Sequence, residues 1–157
     1  MEETSLLNPQ PIGVGYFGDI YDQFRGKPKE AFEFLIAKQC GDLLGVFHDD
    51  EIGDIDLIWG SIAGNKGLDH ILFKHVGEGK DFLSVDEVRI VMETVIKSGK
   101  KTKNRWDKVT FEDNGYRVVV SKNVRDNRGK IIIENKNWVV TSFDNNNPKA
   151  KKHLISP

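Results

Sequence analysis

The spacing of apolar positions divides the chain into a helix-patterned first part and a strand-patterned second. In KEAFEFLIAKQC, Phe32, Leu35 and Ile36 share one helical face behind Pro28, a residue suited to a first turn, and Gly41 is the expected C-cap. DLLGVFH and EIGDIDLIWG predict two strands joined by the acidic turn His48–Asp49–Asp50–Glu51. Gly60–Gly67 reads as a loop. In GLDHILFKHV, which follows, Leu68, Ile71, Leu72 and Val76 form one stripe at about 100° per residue. His75 falls near the middle of that stripe, whereas His70 and Lys74, four apart, share the opposite, wetter face. Gly77 and Gly79 end this helix and leave His75 in its last turn, where the dipole favours a protonated imidazole. Ser84 and Glu87 make a capping box for a further helix that buries Val85, Val88, Met92, Val95 and Ile96 and stops at Gly99.

From Trp106 the period switches to two. WDKVTFED, the Asn114–Gly115 hairpin signal, YRVVVSKN, the turn RDNRG, KIIIENKN and WVVTSFD predict a four-stranded meander. Prolines 9 and 11 and glycines 13, 15, 18 and 26 predict an irregular segment over residues 1–27. A single domain is expected over 28–147, followed by a basic tail over 148–157. The fold class is α+β, with N-terminal helices packed on a C-terminal antiparallel sheet of about four strands.

Composition adds bounds. The 157 residues, 38% hydrophobic and 30% charged, suit one ordinary globular domain. No apolar run approaches the roughly 18 residues of a membrane span, and MEETSLLNPQP does not look like a signal peptide. The lone Cys40 excludes an internal disulfide and a cysteine-rich zinc site, and is expected to be a buried structural thiol. Charge changes the picture more. Residues 1–96 hold 8 Lys/Arg against 18 Asp/Glu, a net of −10, and residues 97–157 hold 15 against 6, a net of +9. Such a split suggests a basic half facing a polyanion, the alternative being neutralisation within one fold.

The candidate chemistry centres on His75, either a satisfied core residue or a catalytic group overlooking the sheet. That sheet would carry Arg117, Lys122, Thr141 and Ser142. A histidine, cations and a hydroxyl are the parts that metal-free RNA cleavage needs. A base takes the 2′-OH proton, an acid protonates the departing 5′-oxygen, and cations stabilise the charged transition state, leaving a 2′,3′-cyclic phosphate. Lys74, Lys100, Lys101, Lys103 and Arg105 are candidate phosphate contacts, and Trp138 is either core or a platform for a base. Asp54 and Asp56 read as solvated strand charges rather than a catalytic pair. The five-residue step between the histidines sets them about 140° apart, unlike a zinc-binding HExxH. No P-loop or nucleophile elbow is present, and no cofactor is called for.

GVFHDDEIGDIDLIWG, KGLDHILFKH and NWVVTSF together resemble the phage-associated barnase–EndoU–colicin–RelE-like nuclease domains, over about residues 10–147. The resemblance implies helices on an antiparallel sheet and metal-independent endoribonuclease action, often on tRNA. It further implies a toxin restrained by an immunity or antitoxin protein. Such a toxin acts in the bacterial cytoplasm and is delivered within a phage or secreted polypeptide. Its motif histidines correspond to His70 and His75, and the hydroxyl of the last strand to Thr141 or Ser142. The competing expectation is a non-catalytic phage module that binds nucleic acid or protein.

Overall fold

A computed structural model of the chain describes residues 8–61, 63–103 and 107–146. Three helices occur among them: α1 (Pro28–Lys38), α2 (Gly67–His75) and α3 (Val85–Ser98). Each follows its sequence pattern. Pro28 opens α1, which buries Ala31, Phe32 and Leu35. It ends two residues earlier than expected: its C-cap is Gln39, in the left-handed region at φ 58°, whose N–H donates to Leu35 O. In α3 the Ser84 hydroxyl accepts the Glu87 N–H, the first half of the expected capping box, and Val88, Met92, Val95 and Ile96 are buried.

The sheet is larger than the sequence pattern suggested. Strands β1 (Gly13–Gly15), β2 (Gly18–Tyr21), β3 (Asp42–Asp49), β4 (Gly53–Ile58), β5 (Lys100–Lys103), β6 (Lys108–Asp113), β7 (Tyr116–Ser121) and β10 (Trp138–Asp144) form one mixed sheet of eight strands. Its order is β1-β2-β3-β4-β10-β7-β6-β5, with parallel joins at β2/β3 and β4/β10. The residues expected to be irregular supply β1 and β2, because the glycines at 13, 15 and 18 build a hairpin that pairs alongside β3. The expected basic loop is the edge strand β5. The meander is interrupted: β8 (Val124–Arg125) and β9 (Ile131–Ile133) form a separate ribbon, so β10 pairs directly with β7. The expected tail, residues 148–157, lies outside the described residues.

Helix α3 packs on β6, β7 and β3, and Lys101 of edge strand β5 reaches Asp49 at the end of β3, 3.0 Å away. The sheet therefore curls around α3, and its edge meets the β3–β4 turn. One core joins Phe32, Leu35, Leu57, Met92, Phe111 and Val118. Strands β4 and β10 share a single bridge, Trp138↔Asp56, and α2 packs against both where they diverge.

Candidate functional site

Helix α2 is hemmed between β10 and β4, which decides where its histidines lie. His75 is buried, as its place on the apolar stripe predicts. His70 is buried as well, at 2% exposure, so the expected wet face holds only Lys74. The two imidazoles meet edge to face with centroids 5.6 Å apart, and His75 lies 6.1 Å from the Phe143 ring. His75 Nδ1 sits 2.9 Å from Asp81 Oδ2, and that oxygen also accepts the Asp144 N–H at 2.9 Å. With a carboxylate as acceptor, Nδ1 carries the proton, and Nε2 is buried. The Asp81 side chain is only 3% exposed, and the residue went unrecognised in the sequence, where it is one of two carboxylates in a glycine-rich loop.

Ladder register distinguishes the two candidate hydroxyls. Ser142 stands opposite Val118 and Thr141 opposite Val119, while Phe143 stands opposite Arg117. Opposed residues share a face, so Ser142 points into the core with Val118, and Thr141 shares the Phe143–Arg117 face beside α2. Both hydroxyls are buried without a hydrogen-bond partner among the described residues. Thr141 thus shares a face with Phe143, whose ring lies 6.1 Å from that of His75, and Ser142 belongs to the core. Arg117 is on the same face, half-buried, with Nε bonded to Glu112 Oε2 at 2.9 Å.

Other expected residues fall elsewhere. Lys122 is exposed just beyond Ser121, at the Trp138 end of the β7–β10 pair, about 16 Å along the strand from Phe143 at ~3.3 Å per residue. Lys101 is tied to Asp49 and Glu51, and Lys103 to Glu51, because the sheet's curl carries β5 to the acidic turn. Lys100 is exposed on the same edge strand, and Arg105 lies outside the described residues. Trp138 is a core residue, 4% exposed, with Nε1 bonded to Asn123 O and its ring 5.0 Å from Phe17. Cys40 is exposed rather than buried, since α1 ends before it.

The strand carboxylates also separate. Asp54 is half-exposed and paired with Arg25 and His48. Asp56, expected in solvent, is buried. One of its oxygens accepts the Gly45 N–H where β3 bulges, and the other lies 2.6 Å from Lys136 Nζ. Asp42 holds the same ammonium at 2.8 Å. Burial pushes the Asp42 carboxyl above its ordinary value, with Lys136 pulling the other way.

A concave region lies at the far end of β10. A groove of about 340 Å³ is lined by Lys66, Lys108, Ser121, Asn123, Arg125 and Trp138, with Val140 beside it. Asp107 lines an adjoining hollow. Burial raises its carboxyl, but the Asn123 amide and the Arg125 guanidinium outweigh this and hold it below the ordinary range.

Among curated proteins nothing matches this chain, and no solved structure matches it either. Among the described residues no helix is long and apolar enough to cross a membrane. A family model does match, across residues 46–149, from β3 through the close of β10 and so over α2, Asp81 and Thr141. The chain belongs to the phage-Barnase-EndoU-ColicinE5/D-RelE like nuclease1 family.

Proposed function

We propose that this nuclease-family chain is a metal-independent endoribonuclease whose proton-transfer site lies between α2 and β10. His75, oriented by Asp81, moves a proton through Nε2, and His70 is its partner. Thr141 positions the scissile phosphate, and Arg117 stabilises the added negative charge of the transition state. The 2′-OH is the nucleophile, so the chain supplies none of its own and the product ends in a 2′,3′-cyclic phosphate. The observation that carries this reading is the His75–Asp81 hydrogen bond, set against the strand that presents Thr141. A carboxylate fixing one ring nitrogen so that the other can work is the logic of activated histidines generally. In this reading RNA approaches from the face of the half-buried Thr141 and Arg117. A structured RNA such as tRNA as substrate, an inhibitor protein that restrains the activity, and action in a bacterial cytoplasm belong to the same proposal.

The test is cleavage of total tRNA by purified protein in EDTA, with the fragment ends mapped. Cyclic-phosphate ends are expected, with losses on the order of 10²-fold or more in His75→Ala and a smaller loss in Thr141→Val. Both variants must keep a cooperative melt. Cleavage that survives His75→Ala overturns the assignment. A second reading, a binding module without catalysis, draws on the burial of His75 at 4% exposure. Salt-sensitive RNA binding with no cutting would establish it.

A further inference from the structure

The groove at the Trp138 end of β10 lies outside the proton-transfer site, yet it runs along the same strand. Val140 lines the groove, and Thr141 is the next residue. One wall is the Ser61–Lys66 loop, which is pinned shut. Ser61 and Lys66 form a bridge, Gly64 N–H donates to Ser61 Oγ, and Asp69 N–H donates to Trp59 O. The other wall is the β8–β9 ribbon, held by the Asp126 carboxylate, which accepts the N–H groups of Arg128 and Lys130.

The charges in this groove are not all used internally. Arg125 is paired with Asp107 and donates to Gly129 O, whereas Lys66 and Lys108 have no ion-pair partner among the described residues. Asp107, which lines the adjoining hollow with Lys108 and Arg125, is 9% exposed. Its Oδ2 accepts from Asn123 and Arg125, while its Oδ1 is buried with no hydrogen-bond partner among the described residues. A buried acceptor costs stability unless something donates to it. An ionised carboxylate oxygen is acceptor-only, so the missing group is an N–H or O–H donor.

We propose that this groove is a subsite for single-stranded RNA flanking the cut, with Lys66 and Lys108 on a phosphate and Asp107 Oδ1 accepting a base amino group. The inference rests on the endoribonuclease reading for its place in the reaction. Adenine, cytosine and guanine carry an exocyclic amine, and uracil presents carbonyl oxygens there, so the carboxylate selects against uracil. Trp138 forms the floor, with its edge fixed by Asn123 O.

Binding is measured by fluorescence anisotropy on short oligo(A), oligo(C) and oligo(U) with 2′-O-methyl riboses, which resist attack by the 2′-oxygen. The full chain, Lys66→Ala/Lys108→Ala and Asp107→Asn are compared across a salt series. The double variant is expected to bind roughly tenfold more weakly. Its salt slope is expected to fall by about 0.7, the share of the one phosphate that the two lysines hold on a single strand. The parent is expected to bind oligo(U) most weakly. Asp107→Asn should narrow that gap, because its amide can donate to a uracil carbonyl. Unchanged affinity and slope in the double variant overturn the subsite, as does a parent that binds none of the oligomers. Cleavage of unmodified RNA, measured separately, shows whether the proton-transfer site acts, and its KM reports on the groove. A parent that cuts RNA with an unchanged KM in the double variant therefore sinks the groove and leaves the activity standing.

Discussion

Lys136 is held between two buried carboxylates that lie 94 and 80 residues away in sequence. Its ammonium offsets the cost of burying Asp42 and Asp56, and the Gly45 N–H satisfies the remaining Asp56 oxygen. Removing the cation leaves two unpaired buried charges, so Lys136→Ala is expected to cost about 3–5 kcal/mol at neutral pH. Urea unfolding measures this, and a loss below 1 kcal/mol would mean that the carboxylates find other partners. Asp42 makes a separate prediction. Its carboxyl is raised in the folded state, mainly by burial, above the ordinary 3.8. Such a group contributes stability that is fully present below the unfolded value and lost as pH rises through the folded one. Asp42→Asn removes that titration. The melting temperature of the variant relative to the parent should therefore climb from pH 3.8 upward through the folded value. A difference that stays level across this window contradicts the assignment. None of this triad was visible in the sequence, where Asp56 read as a solvated strand charge, because nothing local marks its distant partner.

At the scale of elements, the helices and the hairpin were legible and the joins were not. The caps and periodicity of α1, α2 and α3 act within a few residues, and so does the Asn114–Gly115 turn between β6 and β7. The parallel joins β2/β3 and β4/β10 bring distant segments together, and no local pattern encodes them. His70 was misplaced for the same reason: its helical face is wet in isolation and covered once α2 lies between β4 and β10. Thr141 and Ser142 separated only when ladder register assigned their faces. The loop before α2 is tightly constrained at Gly60 and Gly67. Gly60 and Gly67 have φ of +70° and +84°, and a Cβ on Gly60 would stand 2.1 Å from Lys66 O. Gly129 has φ of +84° but open space around it. Gly129→Ala should cost about 1 kcal/mol, from backbone conformation alone. Gly60→Ala adds a backbone collision and should cost clearly more, about 3 kcal/mol in all. Equal shifts in melting temperature for the two variants would show that the loop moves aside freely.

Across the whole molecule, the charge split resolves partly inward. Lys101 and Lys103 meet Asp49 and Glu51, and Lys136 meets Asp42 and Asp56, so the basic half neutralises carboxylates of the acidic half. Other cations stay outward: Lys66 and Lys108 line the groove, and Lys97, Lys100 and Lys122 are exposed. The same interlocking decides what can fold alone. The family match begins at residue 46, within β3, yet the core extends well ahead of it. Tyr21, Phe24, Ala31, Phe32, Leu35 and Leu43 are all at most 3% exposed and pack in one cluster with Leu57, Met92 and Phe111. Phe17 covers Trp138, and Asp42 supplies half of the clamp on Lys136. A chain starting at Val46 loses all of these at once. It also removes the first half of β3, and with it the Asp42↔Ile58 and Leu43↔Leu57 pairs with β4. Burying a large apolar side chain is worth roughly 1.5–3 kcal/mol, so losing the partners of several such groups exceeds the 5–15 kcal/mol by which a domain is stable. The truncated chain is expected to show no cooperative thermal transition and no dispersed amide spectrum, whereas residues 8–157 should retain both. A sharp melt from the chain starting at Val46 would mean that β1, β2 and α1 are an addition to a self-sufficient nuclease core.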